Sequence, residues 1–168
     1  HEETKGSVYI NQYFNELNID AHYQTTGPEI WDQTEGKITH IFACTGTGGT
    51  LSGIAKYLKE QNPNIKVIGV DADGSILKGY FETGKINPDD IHSYQIEGMG
   101  KNLIPSALLF DQIDEYVRVN DEDAAYRTRE VALKEGIMGG YTTGAVTQGF
   151  IQYAENNGTL NLKGGNVV

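Results

Sequence analysis

The sequence holds a single cysteine, Cys44, in 168 residues, so no disulfide can form within it. It is short of positive charge. Thirteen Lys and Arg stand against 23 Asp and Glu, for a formal net charge of -10 at pH 7. A nucleic-acid partner calls for a basic footprint, which is lacking, so none is expected. The acidity itself reads as a device for solubility. The four histidines, His1, His22, His40 and His92, lack the short spacings of metal ligands, so no metal site is expected. No apolar run is long enough to span a membrane, and no segment resembles a secretory signal. The expectation is a cytoplasmic protein without a membrane partner. Repeats and low-complexity tracts are also missing.

What remains is ordinary globular material: 38% apolar and 21% charged residues fit a soluble domain. The length suits about one domain, so residues 1–168 are expected to form a single α/β domain. The chain begins at His1 in a polar stretch and stops at Gly165-Asn166-Val167-Val168. That last stretch reads as a turn and the first step of a strand. A domain rarely stops inside a buried strand, so a piece of a longer polypeptide, truncated at both ends, is expected.

Along the chain, strand and helix patterns alternate, which predicts an α/β three-layer open sheet, mostly parallel, with helices on both faces. Val8 to Ile10 reads as a short strand. Thr26-Gly27-Pro28-Glu29 has capping-box spacing with proline just inside a helix over Glu29 to Thr34. Ile38 to Cys44 reads as a buried strand. Leu51, Ile54, Ala55 and Leu58 have helical spacing, and Asn62-Pro63-Asn64 ends that helix. Ile65 to Val70 completes a βαβ unit. Ser75 to Phe81 reads as a helix, Gly84 to Asp90 as a loop, and Tyr94 to Ile96 as extended. After a strand at Tyr116 to Val119, Asn120 and Asp123 cap a helix that ends at Gly136. Gly139 to Gly144 opens the last helix, which runs to Glu155. The ten lysines read as surface residues, and Lys56 and Lys59, on the polar side of the helix after the glycine loop, as solvated charges.

Cys44-Thr45-Gly46-Thr47-Gly48-Gly49-Thr50-Leu51 joins a strand to a helix. Glycines let backbone approach an anion, and the free amides and dipole of a helix N-terminus attract one. Thr47 and Thr50 add hydroxyls. No Lys or Arg lies in the loop, so amides must do the neutralising. A tight turn that needs glycine for its geometry is the plainer reading. The ATP/GTP phosphate loop is excluded, because it needs a Lys followed by Ser or Thr after its last glycine. A dinucleotide fingerprint is the nearer rival: Gly46-x-Gly48 is present and Asp71 follows the next strand, but Leu51 occupies the third glycine position.

Four ordered stretches resemble the cysteine synthase and cystathionine β-synthase family of fold-type II pyridoxal-phosphate enzymes. They are Thr25 to Trp31, Thr45 to Thr50, Ile96 to Gly100 followed by Ile104-Pro105, and Glu135 to Gly144. Val70 to Leu77 and Ile96 to Gly98 look more like cystathionine β-synthase than plain cysteine synthase. The resemblance implies the larger, C-terminal catalytic domain of such an enzyme, with pyridoxal 5'-phosphate as cofactor. It implies that Gly46, Thr47, Gly48, Gly49 and Thr50 hold the cofactor phosphate. Gly98 would line the cleft beside the cofactor. Thr142, where the family usually has serine, would set a hydroxyl against the pyridine nitrogen; a helix N-cap is its other reading.

The implied reaction is β-replacement on serine or an activated serine by a thiol or sulfide, in a homodimer acting on small amino-acid substrates. The family's Schiff-base lysine lies upstream in a Ser-x-Lys-type segment, which is absent here. The chain alone is therefore expected to be inactive, with no catalytic residue of its own. Lys101 and Tyr141 depart from the family's usual residues. The alternative is a non-catalytic Rossmann-like nucleotide- or phosphate-binding module.

Overall fold

A computed structural model describes residues 3–158 and 164–168; His1 and Lys163 lie outside them. Four strands, β1 (Ile38–Cys44), β2 (Lys66–Ala72), β3 (Glu115–Val119) and β4 (Asn166–Val167), form one sheet in the order β3-β2-β1-β4. Every pairing is parallel. Parallel strands carry helices on both faces and so must be apolar on both, and β2 is buried at every position after Lys66. The side-chain alternation of each strand separates two cores. Ile41, Val67 and Tyr116 face helices α2 (Thr26–Gln33), α3 (Gly49–Gln61) and α4 (Leu77–Thr83). Phe42, Ile68 and Val117 face α5 (Asp121–Glu135) and α6 (Tyr141–Asn157). This is the expected three-layer arrangement. A further helix, α1 (Leu17–Gln24), packs on α3.

Most elements agree with the sequence pattern. The strand over Ile38 to Cys44 agrees at both ends. Asn120 caps α5 by accepting the Asp123 amide at 2.9 Å, and Gly136 ends that helix at φ 70°. Asn166–Val167 does start a strand: the Val168 amide donates to the His40 carbonyl at 3.0 Å.

Four expectations fail. Val8 to Ile10 is not a strand. Val8 is 85% exposed, and without a neighbour to bond, a short extended segment gains nothing from the β conformation. The helix expected at Glu29 starts at Thr26, and no capping box forms, since the side chain of its cap residue Thr25 bonds back to the Ala21 carbonyl. Pro28 is tolerated in the first turn because its missing N–H would have had no partner there. Tyr94 to Ile96 joins no sheet; the amides of Gln95 and Ile96 are satisfied by the Asp121 carboxylate, at 2.8 and 3.1 Å. Lys59 is no solvated charge, because its ammonium lies 2.9 Å from Asp114.

At its carboxyl end β1 runs up against α6. Cys44 closes the strand with its thiol donating to the Thr142 carbonyl at 3.4 Å. Burial, with the Asp71 carboxylate nearby, pushes the thiol pKa up to about 12. Gly144, in the first turns of α6, lets that helix cross α5 closely: a Cβ there would lie 1.9 Å from the Ala124 carbonyl oxygen.

Gly144→Ala should therefore destabilise the protein by about 1–3 kcal/mol, read as a lower denaturant midpoint at unchanged slope. Cys44 is expected to resist alkylation. Burial raises the thiol pKa and its proton is held by the Thr142 carbonyl, so iodoacetamide labelling of the native protein at pH 8 should be slower than that of the denatured protein. Equal rates would contradict the burial.

Candidate functional site

The chain must turn from β1 into α3 within residues 45–48. Thr45, fully buried, ties this turn at both ends of its peptide. Its amide donates to the Val70 carbonyl at 3.0 Å, and its carbonyl accepts the Gly100 amide at 2.8 Å. The first bond anchors the loop to β2 and the second brings in residues 98–100. Gly48 has φ 87°, a left-handed conformation that side chains disfavour. A Cβ at Gly46 would sit 2.6 Å from the Gly98 carbonyl oxygen, and one at Gly49 would sit 2.1 Å from Asn18 Oδ1. Glycine is thus a geometric requirement here, as in any tight turn of this kind.

The same geometry leaves donors free. Among the described residues, the amides of residues 46 to 51 donate to no protein acceptor. They gather at the N-terminus of α3, where the helix contributes about half a positive charge. An open cleft of about 310 Å³ lies in front of them, lined also by Gln12, Tyr13, Gly98 and Lys101. Free amides, threonine hydroxyls and the absence of carboxylates from the lining suit a phosphate. A pyridoxal phosphate group is therefore a fit for this cradle.

The hydroxyls are held from outside. Asn18, on α1, donates from Nδ2 to Thr47 Oγ1 at 3.2 Å and to the Gln12 carbonyl at 2.9 Å. His22, one turn further along α1, lies with Nε2 3.0 Å from Thr50 Oγ1 and Nδ1 2.9 Å from Thr26 Oγ1. A chain of three side chains thus links α2, α1 and α3. These residues were not singled out from the sequence. The signal was there in the i, i+4 spacing of His22 and Thr26, hidden because no helix was expected before Glu29.

Gly98 and Thr142 join the loop. A Cβ on Gly98 would lie 3.7 Å from Thr142 Cγ2, so Gly46, Gly98 and Thr142 stand in a row. Thr142 is in the first turn of α6, but Gly140 is the N-cap, which removes the capping explanation for this threonine. Its hydroxyl has no hydrogen bond among the described residues, while its carbonyl takes the Cys44 thiol. All of the sequence-selected residues therefore meet at one end of the sheet. Thr47, Thr50, Gly46, Gly48 and Gly98 line the cleft, Gly49 follows Gly48 in the loop, and Thr142 lies next to Gly98.

The dinucleotide reading fails on Asp71. Its buried carboxylate accepts the amides of Ala72 at 3.0 Å and Lys78 at 2.9 Å, so it is committed to the turn after β2. Burial raises its pKa against these bonds. Leu51, in the third glycine position, is 1% exposed and part of the core. Among the described residues, no group of three or more His, Cys, Asp or Glu is placed to hold a metal, and no helix is long and apolar enough to cross a membrane.

Compared with known proteins, the chain matches the family described as pyridoxal-phosphate dependent enzyme over residues 1–168. It is 38% identical over 154 residues to a cystathionine beta-synthase of Apis mellifera, covering 92% of this chain and 30% of that protein. To cysteine synthase 3 of Caenorhabditis elegans it is 37% identical over 155 residues, or 90% of this chain and 43% of that protein. The chain thus spans less than half the length of these relatives. A hydrogen sulfide-producing enzyme from Fusobacterium nucleatum superposes with a TM-score of 0.81 at 35% identity, over 93% of this chain and 50% of that one. With a family match along its whole length, the chain belongs to the pyridoxal-phosphate dependent enzymes.

Proposed function

We propose that the protein containing this chain catalyses β-replacement on serine or an activated serine by a thiol or sulfide, as a cystathionine β-synthase or cysteine synthase does. The observation that carries this reading is the free-amide cradle at residues 46 to 51 with Gly98 and the unbonded Thr142 hydroxyl beside it. Similarity to relatives bearing both names supports it. The same reading makes the parent a cytoplasmic homodimer working on small amino acids.

Each residue then has a task. Gly46, Thr47, Gly48, Gly49 and Thr50 take the cofactor phosphate through backbone N–H groups and the two hydroxyls, with Asn18 and His22 fixing those hydroxyls. Gly98 keeps the cleft wall free of side chain where the ring must lie. Thr142 offers its hydroxyl to the pyridine nitrogen. A hydroxyl does not force that nitrogen to be protonated, as a carboxylate would, which suits elimination and replacement at the β-carbon. Pyridoxal phosphate, when bound, supplies the electron sink that weakens bonds at the amino acid's α-carbon. An imine-forming lysine and a base for the α-proton are also needed. We assign both to the parent outside this chain, so the isolated chain is inactive.

The full-length protein, loaded with cofactor and given serine or O-acetylserine with homocysteine or sulfide, should yield a β-replaced amino acid by mass spectrometry. No such product from any pair would refute the reading. Thr50→Val should weaken cofactor binding about tenfold, the order expected for a lost hydrogen bond to a charged group. Its affinity for pyridoxal, which lacks the phosphate, should be unchanged, and His22→Ala should show the same pattern to a smaller extent. Equal losses for both compounds would move Thr50 away from the phosphate.

A further inference from the structure

The cradle at residues 46 to 51 offers an anion dipoles and hydroxyls, but the loop carries no full positive charge. A helix N-terminus contributes about half a positive charge. A phosphate monoester carries about 1.5 to 2 negative charges near pH 7. About one charge or more is thus left unmatched by the backbone, in a chain whose net charge is -10. The lining of the cleft holds no Asp or Glu, and among the described residues it holds a single Lys or Arg, Lys101.

The fold ties Lys101 to the glycine loop. The Gly100 amide donates to the Thr45 carbonyl at 2.8 Å. One hydrogen bond therefore joins the residue before Lys101 to the residue before Gly46. The amide of Lys101 itself donates to Ser75 Oγ at 2.9 Å, and its carbonyl accepts the Ile76 amide at 2.9 Å. Ser75 is fully buried in the turn after β2, so the backbone of Lys101 is held at the carboxyl ends of both β1 and β2. The side chain lies over Tyr13, which lines the same cleft, with Nζ 5.4 Å from the ring centroid. Lys37, Lys59, Lys66, Lys78 and Lys134 each have an acidic partner, whereas among the described residues no carboxylate pairs with Lys101. A half-buried ammonium with only an aromatic face beside it is incompletely compensated.

We propose that Lys101 is a further cofactor-binding residue, whose ammonium supplies the cofactor phosphate with the full positive charge that the glycine loop lacks. This rests on the placement of the phosphate at residues 46 to 51, and it is independent of which amino acid, thiol or sulfide reacts. The two kinds of donor then divide the work. The amides are rigid and fix where the phosphate sits. The ammonium is a point charge on a flexible stem and sets how strongly the phosphate is held and in which ionic form. A cation close to the phosphate favours its dianion over its monoanion.

The test reconstitutes the full-length protein with pyridoxal 5'-phosphate and with pyridoxal, following the bound fraction by absorbance. Lys101→Met should weaken binding of the phosphate ester about tenfold, the order of one charge-assisted contact, and leave pyridoxal binding unchanged. Lys101→Arg should keep the wild-type preference for the ester, and Lys101→Gln is a second neutral variant should the first fail to fold. Phosphorus NMR of the bound cofactor gives a readout that needs no turnover. In the wild type the phosphate should remain a dianion to lower pH than in the neutral variants, because the cation depresses its second ionisation. A preference and a phosphate titration that are unchanged in both neutral variants overturn the proposal, as does an equal loss for the two compounds. Should Thr50→Val discriminate between the compounds while the Lys101 variants do not, the cradle stands and the role of the lysine falls. Should neither discriminate, the placement of the phosphate falls and the lysine with it.

Discussion

Thr45 donates its amide to Val70 and accepts the Gly100 amide at its carbonyl, and the site depends on this pair of bonds. The first holds the glycine loop in register with the central strand. The second draws the segment of Gly98 to Lys101 against the loop. Beside that tie the Gly46 and Gly98 backbones meet closely, and Thr142 lies next to Gly98. Because β1 and β2 are parallel neighbours, their carboxyl ends open on the same side, and a single peptide can gather three separate stretches of chain there.

The electrostatics arise from what the backbone offers. The protein is strongly acidic and the glycine loop contains no cationic side chain. What favours an anion there is a set of amides left without acceptors, a helix N-terminus and a lining without carboxylates. Asp71, the nearest buried acid, spends its charge on two amides of its own turn. Steric demand and free backbone donors here have one origin. The glycines required for close packing are also the residues whose N–H groups remain uncovered.

The sequence made much of this legible for identifiable reasons. Buried parallel strands are continuous apolar runs, so Ile38 to Cys44 could be bounded at both ends. Asn120 and Gly136 bracket α5 through local capping chemistry. The residues of the site were readable because glycine at strand-to-helix turns is locally constrained. What escaped was non-local. Val8 to Ile10 looks like a strand, but a strand needs a partner that no local pattern reveals. Tyr94 to Ile96 is held by a carboxylate 25 residues or more away. α1 has almost no apolar stripe, with Ile19 its single buried residue, so its periodicity could not announce it. With α1 went Asn18 and His22, the supports of the loop threonines.

The bridge from Thr26 through His22 to Thr50 has a directional consequence. A neutral imidazole carries one proton. With that proton on Nε2, the ring donates to Thr50, whose own hydrogen is left for the cleft, and Thr26 must donate to Nδ1. With the proton on Nδ1, Thr50 spends its hydrogen on the ring and turns lone pairs toward the cleft, where an anion would be repelled. An anion in the cradle therefore selects one tautomer of His22 and one orientation of the Thr26 hydroxyl. Occupancy at the start of α3 thus fixes a proton order that ends on α2, at Thr26, outside the lining of the cleft.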